Sequence, residues 1–208
     1  MNILIVDDHA LFRSALKGML SEVLGAGIID EASTGEETFK IFRKRRYDCI
    51  ILDIYLPGEN GLQILQRLKS LDPDAHCLVL SMYSEAQYGV RAIKAGAAGY
   101  LTKNVSLEVL KEAIRRVCSG QRYIDISLAE RLSDAVQNGN RLPHERLSDR
   151  ELQVLVMIAS GKIVTQIARE LHLSVKTISS HRANILRKME LENTSQLIGY
   201  ALKNALLY

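Results

Sequence analysis

At 208 residues the chain is longer than one small domain needs and long enough to bury two separate cores. Its 47% hydrophobic and 25% charged residues, with only three prolines, exclude extensive disorder, and three widely spaced cysteines (Cys49, Cys77, Cys118) supply neither a disulfide framework nor zinc-ligand spacing. The net charge of +3 conceals an uneven distribution: residues 1 to 122 carry 16 Lys/Arg and 15 Asp/Glu, whereas 162 to 188 carry six cations against Glu170 alone.

The chain opens on "MNILIVDDHA", an apolar strand pattern that turns acidic within seven residues, and no apolar run reaches membrane-spanning length. A cytoplasmic chain, neither exported nor embedded in a membrane, is expected. "HALFRSALKGMLSEV" then repeats apolar residues at helical spacing through Leu11, Phe12, Ala15, Leu16, Met19 and Leu20. Further strand patterns follow at "GIIDEA", "CIILDI", "CLVLSM" and "GYLT", separated by helical stretches such as "GLQILQRLKSL". Near-continuous apolar strands alternating with amphipathic helices predict an α/β domain, a five-stranded, doubly wound parallel sheet with five helices, over residues 1–120.

The pattern changes after "SLEVLKEAIRRVCSG". "SLAERLSDAV" reads as a short helix and "QNGNRLPHER", with Gly139 and Pro143, as a polar connection, so residues 121–143 are expected to link two domains. Residues 144–208 carry only helical patterns, four in number, and predict a smaller all-α domain.

Ligands and reacting groups in an open parallel sheet gather at the carboxyl ends of the strands. Here those ends carry Asp7 and Asp8 after the first strand, Asp53 after the third, Ser81 on the fourth and Lys103 after the fifth. Converging carboxylates repel one another unless a cation joins them, and hard oxygen ligands suit Mg2+. With Lys103 placed to pair with an anion and Ser81 to donate to it, the set describes phosphoryl transfer to Asp53. Taken alone, "DD" after a strand is more often only a helix cap, and it is the whole set that points to phosphoryl transfer.

In the cationic segment "IVTQIARELHLSVKTISSHRANILRKM", "HLS" reads as a tight turn between two helices and Ser174 as the cap of the second. Ile178, Ile185, Leu186 and Met189 fall on one side of that second helix, leaving small polar residues and cations on the other, as a helix entering the major groove requires.

Residues 1–120, through "LIVDDH", "ILDIYLPGENG", "VLSMYS" and "GYLTK", resemble the receiver domain of bacterial two-component response regulators. The resemblance implies Asp53 as phospho-acceptor, Mg2+ held by Asp8, Asp53 and the backbone carbonyl of Tyr55 with Asp7 in support, and a switch formed by Ser81 and Tyr100 beside Lys103. Residues 144–208, through "LSDRELQVL", "IARELHLSVKTISSHRANILRKM" and "LIGYAL", resemble the LuxR-type helix-turn-helix domain of the NarL/FixJ response regulators. That resemblance implies base or groove contacts from Ser179, Ser180 and Ala183, and phosphate contacts from Lys176, Thr177, His181, Arg182 and Arg187.

The expected protein is a regulator rather than an enzyme: it takes a phosphoryl group from a sensor histidine kinase and binds double-stranded operator DNA. A homodimer is expected, using the outer edge of a last-helix stripe of Leu197, Ile198, Ala201, Leu202, Ala205 and Leu206, with RNA polymerase a further candidate partner. The alternative is a DNA-binding regulator whose receiver works without phosphorylation. Two positions depart from the common receiver pattern: Asn104 stands where many receivers have proline, and Met82, where many carry a small residue, is expected to narrow access to the acyl phosphate and slow its hydrolysis.

Overall fold

The structure, a computed structural model, describes residues 1–56, 59–137, 142–204 and 206–207. The sequence breaks at Pro57, Gly58 and Gly139, and Ala205 of the last-helix stripe, lie outside the described residues. The chain divides into two compact units, Met1–Ala129 and Glu130–Tyr208.

The first unit alternates strand and helix: β1 (Asn2–Val6), α1 (Ala10–Leu24), β2 (Ile28–Ala32), α2 (Gly35–Phe42), β3 (Cys49–Leu52), α3 (Gly61–Leu71), β4 (Cys77–Ser81), α4 (Glu85–Lys94), β5 (Gly99–Thr102) and α5 (Leu107–Cys118). The five strands form one parallel sheet in the order β2-β1-β3-β4-β5. Every residue of β3 and β4 is buried, which is why these runs are apolar throughout instead of alternating. Alternate residues Ile3, Ile5, Cys49, Ile51, Leu78 and Leu80 form one core with Leu16 and Leu20 of α1 and Ala113, Ile114 and Val117 of α5. Each large aliphatic side chain buried there contributes about 1.5–3 kcal/mol, so truncating Ile51 or Leu80 to Ala would cost the sheet several times a surface change.

The α1 face is narrower than its sequence pattern. Leu11 is 86% exposed and Ala15 also faces solvent, leaving Phe12, Leu16, Met19 and Leu20 to pack inward. Leu11 is the second residue of the helix, close after the carboxyl end of β1.

The turn from β3 into α3 aims Asp53. Asn60 caps α3, its side chain accepting the Leu62 N–H at 2.8 Å. Gly61 follows because the chain folds back on itself: its N–H meets the Ile54 carbonyl at 2.7 Å, and a Cβ there would stand 2.1 Å from the Asp53 carbonyl oxygen.

Next comes α6 (Ile126–Gln137), and the second unit continues through a short 3-10 helix at Pro143–Arg146 into α7 (Asp149–Ala159), α8 (Val164–Glu170), α9 (Val175–Lys188) and α10 (Thr194–Lys203). A reciprocal capping box starts α7: the Ser148 side chain accepts the Glu151 N–H, and Glu151 accepts the Ser148 N–H at 2.8 Å. Leu152, Leu155, Ile167, Ile178, Ile185, Leu197 and Ala201 are buried and lock the four helices together. Between α8 and α9 the chain turns at His172, held at φ +53°, and Ser174 caps α9 by accepting the Thr177 N–H at 3.0 Å, the cap its sequence announces.

The last helix departs from its expected stripe. It ends at Lys203, so buried Leu206 lies beyond it with its N–H on the Ala201 carbonyl, while Leu202 is 62% exposed. Helical spacing does not reveal this terminus, which the Asn204 side chain closes by donating to the Tyr200 carbonyl at 2.8 Å.

Candidate functional site

At the carboxyl edge of the sheet, β1 delivers Asp7 and β3 delivers Asp53, both nearly fully buried. The Lys103 ammonium, following β5, lies 2.6 Å from one oxygen of each. Asp7 also accepts the His9 N–H at 2.8 Å, and the Phe12 ring sits 4.6 Å below the Lys103 ammonium. The other Asp53 oxygen accepts the Tyr55 N–H at 3.2 Å. Asp8 is more open, with its oxygen 2.9 Å from His9 Nδ1.

One ligand atom from each of Asp7, Asp8, His9 and Asp53 falls within 4.8 Å of the others. Burial pushes the Asp53 carboxyl above the ordinary carboxylate range, and although Lys103 pulls it back, the adjoining Asp7 charge adds to the rise. For Lys103 burial favours the neutral amine, but Asp53 and Asp7 together outweigh it and hold the ammonium above the usual lysine value. One ammonium therefore leaves Asp53 short of compensating charge. Three carboxylates around a gap in positive charge suit a hard divalent cation.

Ser81 ends β4 fully buried, its carbonyl taking the Lys103 N–H at 2.7 Å and its hydroxyl facing the Tyr83 N–H at 3.4 Å. Tyr100 is also buried, its hydroxyl donating to the Tyr83 carbonyl at 2.7 Å. Tyr83 stacks on Tyr55 with ring centroids 4.4 Å apart, and Tyr88 meets Tyr83 edge-on. So Asp7, Asp8, Asp53 and Lys103 are brought directly together, while Ser81 and Tyr100 are joined to them through the backbone of the β4–α4 turn. Met82 is 48% exposed, and among the described residues no peptide bond is cis, that before Asn104 included.

Sequence reasoning missed His9, Phe12 and the Tyr55–Tyr83 stack. His9 was legible as the residue after "DD"; the aromatic contacts join residues up to 91 positions apart, as Phe12 and Lys103 are, and leave no local pattern.

The second constellation lies on α9. Ile178 and Ile185 are buried, whereas Lys176, Ser180, Ala183 and Arg187 are exposed along one side, with Arg182 beside them. Thr177, Ser179 and His181 are half-buried. The Thr177 hydroxyl is engaged with Ser174 at 2.8 Å, and Arg187 donates to Asn184 at 3.1 Å. Burial lowers the His181 pKa, against the pull of Glu151. Lys188 turns back instead, 2.6 Å from the buried Glu151 carboxylate, clamping α9 to α7. Arg150 of α7 braces the inter-helix turn through the Leu171 carbonyl at 3.0 Å.

Residues 3–115 match the family described as the response regulator receiver domain, and residues 145–201 match the bacterial regulatory proteins of the luxR family. Along 99% of its length the chain is 34% identical to the response regulator UvrY of Escherichia coli K12, covering 95% of that protein. It is also 34% identical to the oxygen regulatory protein NreC of Staphylococcus epidermidis, over the whole chain and 99% of the relative. Among solved structures, RcsB of Salmonella enterica serovar Typhimurium, bound to promoter P1flhDC in the presence of the phosphomimetic BeF3-, is 25% identical with a TM-score of 0.65, across 96% of this chain and 97% of that one. A buried acidic site at a receiver's sheet edge, a helix-turn-helix with a cationic face, and relatives matched end to end agree: the chain belongs to the two-component response regulators of the NarL/FixJ family.

Proposed function

We propose that this regulator takes a phosphoryl group from a sensor histidine kinase onto Asp53 and binds operator DNA through α9 in response. The observation that carries it is the Asp53 carboxylate, buried, short of positive charge, and held 2.6 Å from Lys103. An Asp53 oxygen attacks the phosphorus of a phosphohistidine; the P–N bond breaks as the P–O bond forms, and the imidazole leaves with a proton. Lys103 shifts from bridging two carboxylates to pairing with the phosphoryl oxygens, and Ser81 donates its hydroxyl to them.

Asp8, Asp53 and the Tyr55 carbonyl would hold Mg2+, with Asp7 in support; the ion would neutralise charge on the transferring oxygens. Closure of Ser81 draws on the turn whose Tyr83 carbonyl holds the Tyr100 hydroxyl, so the two form the switch. Its output is the surface of α4, β5 and α5.

In the DNA complex Ser179, Ser180 and Ala183 approach the groove floor, and Lys176, Thr177, His181, Arg182 and Arg187 hold phosphates. This division assigns residues 1–120 to the receiver, 121–143 to the linker and 144–208 to the DNA-binding domain. A homodimer would match paired half-sites, and exposed Leu202 lies on the helix edge first expected to form that contact. RNA polymerase would be the downstream partner in the cytoplasm. Among the described residues no helix is long and apolar enough to cross a membrane.

The test is labelling by a small acyl-phosphate donor with Mg2+, with binding to promoter DNA measured beside it. Label is expected on the wild type, none on Asp53→Asn, and tighter DNA binding only where label is present. Equal DNA binding with and without label would favour the phosphate-independent alternative.

A further inference from the structure

The chain leaving α5 is held against the first unit before it reaches the second. After Gly120 it runs beside the edge strand β5: the Tyr123 N–H donates to the Ala98 carbonyl at 2.8 Å, and Tyr123 pairs with Gly99 as a parallel bridge. Asp125 precedes α6 and accepts the Leu128 N–H at 2.7 Å, as an N-cap does. In the first turn of α6, Ile126 is 81% exposed whereas Leu128 is completely buried. The Leu128 methyl groups lie over Gly89 of α4, where a Cβ would stand 2.7 Å from one of them. The Ser127 hydroxyl adds a polar contact to the same helix, 3.1 Å from the Glu85 carboxylate. The boundary between the two compact units falls inside α6, after Ala129, so this turn belongs to the first unit.

Both places where the segment touches α4 and β5 adjoin the aromatic residues of the β4–α4 turn. Gly89 follows Tyr88, and Gly99 precedes Tyr100. Both tyrosines are buried, and both touch Tyr83: Tyr88 by its ring edge at 5.5 Å, Tyr100 by its hydroxyl on the Tyr83 carbonyl at 2.7 Å. The Tyr83 N–H in turn faces the Ser81 hydroxyl. In a close-packed interior a shift of Tyr83 displaces the rings packed on it, and with them the two glycines that receive the segment.

We infer that residues 123–128 form a latch, seated on α4 and β5 while Asp53 is unmodified and released when Asp53 carries a phosphoryl group. The inference rests on the phosphorylation reading above and adds to it the point at which the signal leaves the receiver. Leu128 is the catch. Its seat is a leucine against a glycine, and dispersion contact of that kind is lost over a small displacement of α4. Release costs one buried leucine and a few hydrogen bonds, a change small enough for the new contacts of a phosphoryl group to outweigh. With the latch released, the tether to the helix-turn-helix starts near Gly120 instead of beyond Ala129. A longer tether changes which half-site spacings two linked DNA-binding domains can span.

Hydrogen exchange of the full-length chain, followed by mass spectrometry over residues 121–129, tests the latch. In the unlabelled wild type the segment should exchange slowly. A small acyl-phosphate donor with Mg2+ should speed it at least about tenfold in protein that has gained the phosphoryl mass, and not in Asp53→Asn. Leu128→Ala and Gly89→Ala should exchange at the fast rate with no donor, while β3 stays as protected as in the wild type. Ile126→Ala, which alters only the exposed side of the turn, should keep the slow rate. The inference is overturned by slow exchange in labelled wild type, by fast exchange in unlabelled wild type, or by wild-type protection in Leu128→Ala. A wild type that takes no label is a different failure: it sinks the phosphorylation reading and the trigger inferred here, while Leu128→Ala still decides whether the seat holds the segment.

Discussion

The two functional regions handle charge in opposite ways. At the sheet edge, carboxylates and one ammonium are buried, fixed at 2.6 Å, and aimed by a β3–α3 turn that admits only glycine at position 61. On α9 the cations stand in water on long side chains, and the apolar residues beneath them do the positioning. Charge in the first region is costly and strongly felt, so any change in it alters a conformation; charge in the second is cheap and additive, so each residue adds a little affinity. A switch suits the first, a docking surface the second.

That contrast breaks most visibly at Lys103. Lys103→Met leaves Asp7 and Asp53 buried without their ammonium, and the metal-free protein should lose about 3–5 kcal/mol in urea denaturation. Added Mg2+ should restore part of the loss if the carboxylates are a cation site. An unchanged midpoint would mean that the site is far wetter than its burial indicates.

Among the described residues the second unit also holds a buried charge of the first kind. Glu151 caps α7 and receives Lys188 of α9 at 2.6 Å; burial opposes its ionisation, but Lys188 and the Ser148 donors prevail and hold its pKa below the usual glutamate value. A depressed carboxylate adds stability above its unfolded value near 4.5, and that contribution is lost as pH falls through the folded value. Glu151→Gln should therefore cost about 1–3 kcal/mol at pH 7, and that cost should fade as pH falls from 4.5 through the lowered folded value. A penalty that persists in acid would assign the loss to packing.

For the exposed cations the expected changes are smaller and uniform. Arg182→Ala should weaken binding to specific and unrelated duplexes alike, by about 1 kcal/mol, and reduce the slope of log K against log salt by about 0.9. A loss confined to one sequence would reassign Arg182 from phosphate to base.

What was legible in the sequence follows the same division. The inner strands β1, β3 and β4 could be read because burial on both faces enforces unbroken apolar runs, and the acidic set because topology alone carries Asp7, Asp8, Asp53 and Lys103 to one edge. The Ser174 cap was readable because its partner Thr177 is three residues away. Leu11 keeps the helical spacing yet faces water, because periodicity reports spacing but not whether a neighbour is there to cover it. The Lys188–Glu151 clamp joins residues 37 apart, and the Tyr55–Tyr83 stack two different strand ends; both depend on a completed fold.

The smallest expected effect concerns Met82, which follows buried Ser81 in the chain and is half open to solvent. A side chain in that position shields the Asp53 phosphate only by occupying the approach that water would use, and its unbranched thioether can move aside. The shielding should therefore be slight. Met82→Ala should shorten the phosphate lifetime by about two- to threefold, a barrier change below about 0.7 kcal/mol, with labelling itself unaffected. Tyr55, whose N–H is held by Asp53, and Tyr83, stacked on its ring at 4.4 Å, are the rigid counterpart. An unchanged lifetime in Met82→Ala would leave the aromatic pair as the element that keeps water out, and would place access control with the buried, fixed parts of the site.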